Sequence, residues 1–445
     1  MWRMIIFIAV TITIAPTTGC IRRRSQLNGD DDGHYCVCNA VYCDGAPNAV
    51  KPTNNPAKYV LITSSKSGLR FRKLSGEYSN TKETVNNPLS RKIIINQTDV
   101  YQEIYGFGGS VTDAAAINIQ NLTHETSEYL LRSYFGPEGI DYSFIRTPMG
   151  GSDFSIRPYT YADAVANDTS LHHFNLQMED YLHKIPIIKR AMELRKEEIK
   201  LLTAPWSAPL WMKTNLSWTH DSKLRPKYRQ LWANYFVKFF EAYRQNGLEF
   251  WGTTPQNEPE SYKYIPLSIN LNAMAWTAEE ERDWVIKYLA PTLEKNGFEH
   301  IKIFSLDDNR LSLPHWPKTV FQDERARNII SGVAIHYYYD DTINANVLNE
   351  VKQLFPEKSL IYTEACTGVQ VDAGWYVPPK SVRIGTISEN TEGIQNIAFS
   401  TPDGATVLVI LNLNEDEKEI LIDDPKKGTT TINVLGKSIN TMKYW

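Results

Sequence analysis

Residues 250–259, FWGTTPQNEP, join an apolar strand to an Asn-Glu-Pro turn that carries Glu258. Residues 359–368, SLIYTEACTG, have the same form, because an otherwise uncharged strand runs into Glu364. Burying a single charge in such a run without partners is costly, so this carboxylate is interpreted as functional. In a (β/α) barrel the active site is built at the carboxyl ends of the strands, where both glutamates fall. An exposed surface glutamate after a strand is the alternative interpretation of Glu258.

Outward from these segments, short apolar strands alternate with helical stretches. This rhythm predicts the α/β class and, over residues 101–377, a (β/α)8-type TIM barrel that is incomplete, with about seven strands. A doubly wound sheet is disfavoured, because no Gly-x-Gly-x-x-Gly follows the first strand. The predicted strands are Ile104–Gly109, Ser143–Pro148, Ile199–Ala204, Phe250–Thr254, Ile301–Ser305, Gly332–His336 and Ser359–Thr363. The predicted helices include Tyr181–Glu197, Tyr228–Gln245 and Glu279–Asn296, of which the first and last contain Pro186 and Pro291.

The two ends of the chain have a different pattern from the middle. Short alternating segments with turn signals run from Lys58 to Thr98 and from Val382 to Met442. Alternation with a period of two predicts half-buried strands. We therefore expect an all-β sandwich domain formed from both chain ends, over residues 53–100 plus 378–445.

The N-terminal residues have the features of an exported protein. Residues 1–19 combine Arg3, an apolar run and a small-residue end, which predicts a cleavable signal peptide. Residues 20–52 contain four cysteines, which predicts a small disulfide-bonded β region with three possible connectivities. A zinc cluster is the alternative. A fifth cysteine, Cys366, lies in an apolar strand context and is expected to be a buried free thiol. The four clustered cysteines are Cys20, Cys36, Cys38 and Cys43.

Composition excludes several classes of partner. The formal charge of -4 and a pI near 6.2 provide no basic field for nucleic acid. After the N-terminal segment, no window of about 18 apolar residues predicts a transmembrane segment. Four Asn-x-Ser/Thr sequons fit glycosylation in the secretory route. The sequons are at Asn96, Asn121, Asn167 and Asn215.

The spacing of the two glutamates suggests that they act together. They follow the fourth and seventh predicted strands, which are three βα units apart. Three units of about 31 residues predict a spacing of roughly 94 residues, and the spacing in the sequence is 106 residues. These strands lie across a barrel mouth from one another, so the carboxyl groups can converge over its axis. Retaining glycoside hydrolysis needs two carboxyl groups about 5–5.5 Å apart. A metallohydrolase that uses Asp307, Asp308 and His336 is a weaker alternative, since no ligand pair has helical spacing.

Several further segments, in the same order along the chain, resemble those of glycoside hydrolase family 30, and most closely its animal glucosylceramidase (acid β-glucosidase) branch. The resemblance implies a retaining exo-β-glucosidase that hydrolyses glucosylceramide to glucose and ceramide in the lysosome, or after secretion. It also implies contact with a membrane surface, a possible saposin-like activator protein, and no metal or organic cofactor. The matching segments, besides those around Glu258 and Glu364, are Gly106–Ala116, Asp153–Arg157, Tyr159–Asp163, Ala204–Pro209, Leu306–Arg310 and Cys36–Asp44.

Carried over residue by residue, the resemblance assigns roles in the site. Glu258 is expected to be the acid/base and Glu364 the nucleophile. Three residues are expected to bind the sugar: Asp153 through glucose hydroxyls, Trp206 facing the same ring, and Asn257 at the 2-hydroxyl. Three are expected to support the carboxyl groups: Arg146 as a donor to the nucleophile, and His336 and Tyr338 as orienting groups. The resemblance also pairs Cys20 with Cys36 and Cys38 with Cys43. Asp113 is expected instead to cap a helix that starts at Ala114.

The chain departs from the family pattern after the seventh strand. A barrel still needs a helix, an eighth strand and a further helix, or roughly 50–60 residues. Here the chain soon reaches Tyr376-Val377-Pro378-Pro379, which resembles the start of the family's C-terminal sandwich. Strands one and seven are then expected to have unpaired edges, and the product to be poorly stable and weakly active or inactive. An alternatively spliced or incompletely assembled product explains the gap, and a non-catalytic glycan- or glycolipid-binding protein is the alternative function.

Overall fold

The computed structural model describes residues 37–43, 55, 57–79, 90–137, 139–219, 222–260, 263, 272–366 and 379–445. The expected signal peptide and the expected Cys20–Cys36 bridge lie outside the described residues. Cys38 and Cys43 form a disulfide, as the family resemblance implies. The described residues divide between two compact units, one drawn from Met1–Tyr105, Glu138–Ile140 and Ala373–Trp445, and the other from Gly106–Pro137 and Asp141–Asp372.

The regular elements are numbered in chain order over the described residues. The strands are β1 (Lys58–Ser65), β2 (Arg72–Glu77), β3 (Lys92–Glu103), β4 (Gly108–Ser110), β5 (Phe144–Met149), β6 (Lys200–Pro205), β7 (Gly252–Thr253), β8 (Lys302–Asn309), β9 (Gly332–His336), β10 (Ser359–Glu364), β11 (Val382–Glu389), β12 (Ile394–Ser400), β13 (Thr406–Asn412), β14 (Lys418–Asp424), β15 (Gly428–Val434) and β16 (Ser438–Tyr444). The helices are α1 (Asp113–Gln120), α2 (His124–Phe135), α3 (Ile185–Leu194), α4 (Arg229–Gln245), α5 (Ala278–Trp284), α6 (Ala290–Lys295), α7 (His315–Phe321), α8 (Glu324–Ile329) and α9 (Asn346–Leu354). None of these helices is both long and apolar enough to cross a bilayer.

The unit that contains both chain ends is a nine-stranded sheet in the order β15-β14-β3-β11-β12-β13-β16-β1-β2. Within β3, Ile93 and Ile95 are fully buried while Ile94 between them is not, which is the alternation of a strand with one face on a core. Ile432 of β15 and Tyr59 of β1 belong to one hydrophobic core although their strands are far apart in the order. The sheet therefore folds back on itself, which confirms the predicted all-β sandwich built from both chain ends.

The second unit contains a seven-stranded sheet in the order β10-β9-β8-β7-β6-β5-β4, and every neighbouring pair is parallel. Each of the seven predicted barrel strands overlaps one of these strands. All five residues of β9 are buried, as expected for a parallel strand covered on both faces. On α4, the side chains of Trp232, Phe236 and Phe239 lie in the hydrophobic core of this unit. The structure confirms an α/β barrel fold with seven strands described.

The two end strands of this sheet are less covered than its centre. Within the described residues, β4 and β10 each pair with a single neighbouring strand. Every residue of β10 is at least partly accessible to solvent, and Tyr362 is 47% exposed, whereas β9 beside it is completely buried. The described part of the sheet is therefore open between β10 and β4, as the prediction of seven strands requires.

Two of the helical segments continue across a proline. Pro186 is at the start of α3, after a π-helical turn from Glu179 to Lys184, and Pro291 is at the start of α6, after a π-helical turn from Val285 to Leu289. Proline has no N–H, and its ring clashes with the carbonyl group four residues earlier. The wider turn relieves this clash, so each helical segment bends without ending.

The expectation that Asp113 caps the first barrel helix is wrong. Thr112 is the N-cap residue of α1, because its hydroxyl oxygen accepts a hydrogen bond from the N–H of Ala115 at 3.0 Å. Asp113 is the first helical residue and is buried. Its Oδ1 accepts from the N–H of Ala114 at 3.0 Å and from the Ser155 hydroxyl at 2.9 Å. Asp113 therefore connects the start of α1 to the loop that follows β5.

Candidate active site

Two carboxyl groups converge at the carboxyl ends of the barrel strands. Glu258 follows β7 and Glu364 is the last residue of β10. One oxygen of each carboxyl group and one ring nitrogen of His336 all lie within 4.8 Å of one another. Both glutamate side chains are 16% exposed, so they are accessible to a ligand but mostly enclosed. The two segments that first indicated function are thus brought together by the barrel sheet.

Arg146 of β5 is bound to one of these carboxyl groups and to two further residues. Its side chain is 6% exposed, with Nη1 2.6 Å from Glu364 Oε2 and Nη2 2.9 Å from Asp307 Oδ2. Nη2 also donates to Asn257 Oδ1 at 2.7 Å. Burial alone would raise the pKa of Glu364, but the charges of Arg146 and His336 outweigh burial and hold it below its ordinary value. Glu364 is therefore a carboxylate under mildly acidic conditions.

His336, the last residue of β9, lies between the acidic side chains. Its ring is fully buried, with Nδ1 3.1 Å from Glu258 Oε1 and Nε2 3.1 Å from Asp307 Oδ1. Burial alone would lower the pKa of His336, but the hydrogen bonds to Asp307 and Glu258 raise it to about 10. A protonated imidazole donates from both nitrogens, so His336 orients Glu258 and Asp307 at once.

Asp307 is the residue of this site that the sequence did not single out for this role. It is fully buried, and beyond Arg146 and His336 its carboxylate accepts hydrogen bonds from the hydroxyls of Thr254 at 2.7 Å and Thr363 at 2.6 Å. Burial alone would raise the pKa of Asp307, but the neighbouring cations and hydrogen-bond donors keep it well below its ordinary range. Asp307 is therefore a permanent anion that balances the two buried cations.

The backbone around Asp307 is strained, and it supports the Asn-Glu-Pro turn. Leu306 and Asp307 have φ of 77° and 61° in a bulge of β8, and Glu258 has φ of 44°. Non-glycine residues seldom adopt these left-handed angles, which are concentrated at functional sites. The N–H of Glu258 donates to the Asp307 carbonyl at 2.9 Å, and the N–H of Glu260 donates to the Asp308 carboxylate at 3.0 Å. The β8 bulge thus holds the backbone of the turn that carries Glu258.

The residues expected to bind a sugar surround the two glutamates in different ways. Trp206 is 5% exposed, and its ring lies 4.8 Å from the Arg146 guanidinium carbon. Asn257 is buried next to Glu258 and uses its side-chain oxygen to accept from Arg146. Asp153, in the loop after β5, is solvent-exposed as a residue. Desolvation of its carboxyl group and the negative charges of Glu364 and Glu258 nevertheless raise the pKa of Asp153 to about 6.

Tyr338 and Cys366 lie beside Glu364. The Tyr338 hydroxyl donates to Glu364 Oε1 at 2.8 Å, and its own backbone N–H donates to Asn309 Oδ1 at 3.1 Å. Cys366 is a free thiol, and it is exposed, so the expectation that it is buried is wrong. The apolar strand that suggested burial ends at Glu364, and Cys366 follows it at the open end of the sheet.

The acidic groups do not have the arrangement that the metallohydrolase alternative requires. Asp308 accepts from the backbone N–H groups of Glu260 and Asn309. Within the described residues, Glu258, His336 and Glu364 are the group with ligand atoms close enough for a metal ion. In this group His336 is hydrogen-bonded to Glu258 through Nδ1 and to Asp307 through Nε2. Asp307 and Asp308, which the metallohydrolase alternative uses with His336, are not members of this group.

A parallel barrel sheet with two facing carboxyl groups at the carboxyl ends of its strands is the architecture of a glycoside hydrolase. The sequence profile of the glycosyl hydrolase family 30 TIM-barrel domain matches residues 104–397. That of the glycosyl hydrolase family 30 beta sandwich domain matches residues 380–442. The chain belongs to glycosyl hydrolase family 30.

The relatives of the chain include glucosylceramidases. Lysosomal acid glucosylceramidase of Mus musculus is 31% identical over 487 residues, covering 91% of this chain and 92% of the relative. Putative glucosylceramidase 4 of Caenorhabditis elegans is 38% identical over 363 residues, covering 80% of this chain and 66% of the relative, slightly less than two thirds of its length. In fold, the chain is similar to the endo-β1,6-glucanase BT3312, with a TM-score of 0.74, 24% identity and coverage of 87% and 99%.

The alignment with the mouse relative also shows an internal shortfall. It extends over 487 positions, whereas 91% of the 445 residues of this chain is about 405, so about 80 positions face gaps in this chain. Gaps inside an alignment correspond to segments that the relative has and this chain lacks. The shortfall exceeds the roughly 50–60 residues that the last part of a barrel requires.

Proposed function

We propose that this family 30 glycoside hydrolase is a retaining exo-β-glucosidase that hydrolyses glucosylceramide to glucose and ceramide. One observation carries the mechanism: oxygens of Glu258 and Glu364 lie within 4.8 Å of each other. Retaining enzymes have carboxyl groups about 5–5.5 Å apart, whereas inverting enzymes need about 6.5–9.5 Å to accommodate a water molecule. The short separation therefore favours a covalent intermediate over direct attack by water.

In this mechanism Glu364 attacks the anomeric carbon as a carboxylate and forms a glycosyl ester. Glu258 gives its proton to the leaving glycosidic oxygen, and the alcohol departs. Glu364 is then held as an uncharged ester, and Glu258, which has given up its proton, is a carboxylate that can act as the base. Glu258 next takes a proton from water, which attacks the anomeric carbon and releases Glu364 as a carboxylate. Tyr338 and Arg146 donate to Glu364 and keep one of its oxygen lone pairs directed at the sugar.

Binding of glucose requires polar groups that match its hydroxyls. Asp153, in its ionised form, would accept from two neighbouring hydroxyls, and the Trp206 ring would pack against the apolar face of the sugar. The oxygen of the Asn257 side chain is held by Arg146, which leaves its amide N–H groups free to donate to the 2-hydroxyl. A hydrogen bond at that hydroxyl strengthens as positive charge develops on the ring.

A lipid aglycone is supported by apolar side chains next to Asp153. Phe154 is 66% exposed and Ile156 is 79% exposed on the loop that follows β5. Large apolar side chains that water surrounds so completely gain most from contact with an amphiphilic substrate. The glucosylceramidase relatives support the same substrate class. A glycolipid substrate lies at a membrane surface, so a saposin-like activator protein is the expected partner, and no cofactor takes part in the mechanism.

The proposed location is the lysosomal lumen or the extracellular space. The mouse relative is lysosomal by name, and Asn121, Asn167 and Asn215 are exposed, as glycan acceptors must be. Asn96 lies within β3 and is partly buried, so it is the least suitable acceptor of the four. The Cys38–Cys43 disulfide also suits an oxidising compartment.

The test compares three substrates with the purified chain: a soluble aryl β-glucoside, glucosylceramide in anionic vesicles, and β-1,6-glucan. We expect hydrolysis of both glucosides, β-glucose as the first product by NMR, and covalent labelling of Glu364 by a cyclitol epoxide. Glu364→Gln should lose labelling and turnover, while Glu350→Gln, at an exposed ion pair on α9, should lose neither. Cleavage of the glucan alone, or α-glucose as the first product, contradicts the proposal.

The alternative is a glycan- or glycolipid-binding protein without turnover, and it is favoured by β4 and β10, each of which pairs with a single strand within the described part of the chain. Unpaired strand edges and uncovered apolar surface lower stability and invite aggregation. A second version of the chain, with the eighth-strand segment of a relative restored, separates the two functions. Activity in both versions supports the enzyme, and activity in the restored version alone shows that the gap impairs it. Sugar binding without hydrolysis in both versions supports the binding protein.

A further inference from the structure

Glu281 is a buried acid that the proposed mechanism does not use. It lies on α5, is completely buried, and contacts Trp316 of α7, which is itself fully buried. Its Oε1 accepts three hydrogen bonds, whereas its Oε2 is buried and has no hydrogen-bond partner. The three donors are the Ser305 hydroxyl at 2.5 Å, the Trp316 indole N–H at 3.2 Å and the Leu306 backbone N–H at 3.3 Å.

No cation faces Glu281 among the described residues of the elements packed around it. On its own helix, Arg282 is paired with Asp283. On α7, His315 interacts with Glu279, and Lys318 is paired with Glu350 of α9. On β8 the charge that acts on Glu281 is the anion Asp307. A carboxylate at this position would therefore be desolvated, half unsatisfied and next to a like charge.

The surroundings favour the neutral acid. Burial raises the pKa of Glu281 to about 7, even though the hydrogen bonds from Ser305, Trp316 and Leu306 act in the opposite direction, and the charge of Asp307 adds to the increase. A group whose pKa is higher in the folded state stabilises the fold at pH values below its ordinary value. This stability is lost as pH rises through the folded-state value. For Glu281 the loss falls between mildly acidic and neutral pH.

Glu281 also contacts the backbone that directs Asp307 into the active site. Leu306 is the first of the two left-handed residues of the β8 bulge, and its N–H is bound by Glu281. Asp307 is the second, and its side chain points into the barrel toward Arg146 and His336. A strained bulge persists only while its surroundings hold it. The contact of Glu281 with Leu306 supports the backbone of this bulge.

We propose that neutral Glu281 is a positioning residue that holds the β8 bulge, and that its ionisation loosens the bulge and sets the alkaline limit of the site. A charge at this position gains solvation only if α5 moves away from β8, and this movement releases Leu306. Asp307 then loses its fixed position relative to Arg146 and His336. The consequence for catalysis rests on the proposed function, whereas the consequence for the bulge does not.

The test uses Glu281→Gln, which keeps the shape and the Oε1 acceptor but cannot ionise, and Glu279→Gln, at an exposed position of the same helix, as its control. Thermal melting and hydrogen exchange of peptides from β8 are measured between about pH 5 and pH 8. We expect Glu281→Gln to match the wild type at the acidic end. At the alkaline end it should melt several degrees higher and keep β8 protected, whereas Glu279→Gln should follow the wild type throughout.

The proposal is overturned if the melting temperatures of Glu281→Gln and the wild type change equally with pH and β8 loses protection equally in both. If Glu281→Gln does not fold, Glu281→Leu is the second variant: it cannot ionise and lacks the acceptor for the Leu306 N–H, so β8 should be less protected than in the wild type at the acidic end, with little change as pH rises. In activity measurements the alkaline limb of the pH profile should move to higher pH in Glu281→Gln. An inactive wild type with the expected melting and exchange results contradicts the proposed function and leaves the role of Glu281 supported.

Discussion

Replacing Arg146 should shift the pH dependence of activity in a direction that the structure determines. Arg146 donates to Glu364 at 2.6 Å and to Asp307 at 2.9 Å, and only 6% of its side chain is exposed, so solvent screens these contacts little. In Arg146→Gln the carboxylate of Glu364 loses its closest cation, so its pKa rises. A nearby arginine lowers a carboxyl pKa by about 1–3, so the acidic limb of the kcat/KM profile should move up by a similar amount.

The acidic limb should move to higher pH because the native contacts lower the pKa of Glu364. The pKa of Glu364 is lowered in the folded protein, so the ionised form persists as pH falls and is lost only below the ordinary range. Without Arg146, Glu364 becomes protonated at higher pH. At pH values well below the midpoint of the acidic limb, kcat/KM falls about tenfold for every tenfold increase in the proton affinity of Glu364. Arg146→Lys keeps the charge but cannot bridge Glu364 and Asp307 with one planar group, so it should move the limb less and reduce kcat.

Stability should fall as well, because Asp307 remains buried with less compensation. Breaking a buried ion pair from one side costs about 3–5 kcal/mol. In a unit of this size, about 2–4 °C of melting temperature is lost per kcal/mol, so a decrease of roughly 6–20 °C is expected. Arg195, also buried and paired with Asp141 away from the site, is the matched control. Arg195→Gln should lower the melting temperature without moving the pH profile.

The assay is hydrolysis of a soluble aryl β-glucoside by the wild type and the three variants from about pH 3.5 to pH 7.5. Below this range the measurement would be limited by unfolding of the variants, so melting is recorded at every pH. An acidic limb that is the same in Arg146→Gln and the wild type would refute the role assigned to Arg146. The same refutation follows if Arg195→Gln moves the limb as far as Arg146→Gln.

Three further changes test separate parts of the site. The pKa of Asp153 is raised to about 6, so the KM for the glucoside should fall as pH rises through this value. Asp153→Asn should have a higher KM without that inflection, and an inflection that survives the substitution would show that another group is responsible. Tyr338→Phe removes a hydrogen bond of about 1.5–3 kcal/mol to a charged group and should lower kcat roughly 10–100-fold, and an unchanged kcat would contradict this. Cys366 is an exposed free thiol, so a maleimide should modify it in the folded protein, detected by mass spectrometry, and Cys366→Ser should react with one equivalent less; equal labelling of both proteins would contradict the exposure of this thiol.

Much of the barrel could be predicted because each strand has a sequence pattern that can be recognised locally. An apolar run that ends in a polar turn identifies a strand and its carboxyl end from a few neighbouring residues, which is why the seven predicted strands overlap those observed. Glu258 and Glu364 were found by the same signal. The pairing of the chain ends in one sandwich could also be predicted, because alternating segments at both ends need partners.

Two other features were not predicted correctly, one for a local reason and one for a tertiary reason. Thr112 rather than Asp113 caps α1, since two adjacent residues both have capping side chains and only the local backbone angles distinguish them. Cys366 is exposed just after β10, which is the last strand of the sheet within the described residues. A short apolar sequence does not show whether its strand lies inside a sheet or at its edge.

The amino-acid sequence was enough to locate the barrel strands, the family resemblance and the two carboxyl groups available for chemistry. The surroundings of those groups are known only from the folded chain. The buried anion Asp307 receives donors from β5, from β9, from β10 and from the residue that follows β7, and these segments are separated along the chain and meet only in the folded sheet. Burial and charge pairing set the protonation of each acidic group, and both depend on the surroundings of the group rather than on its own segment of sequence.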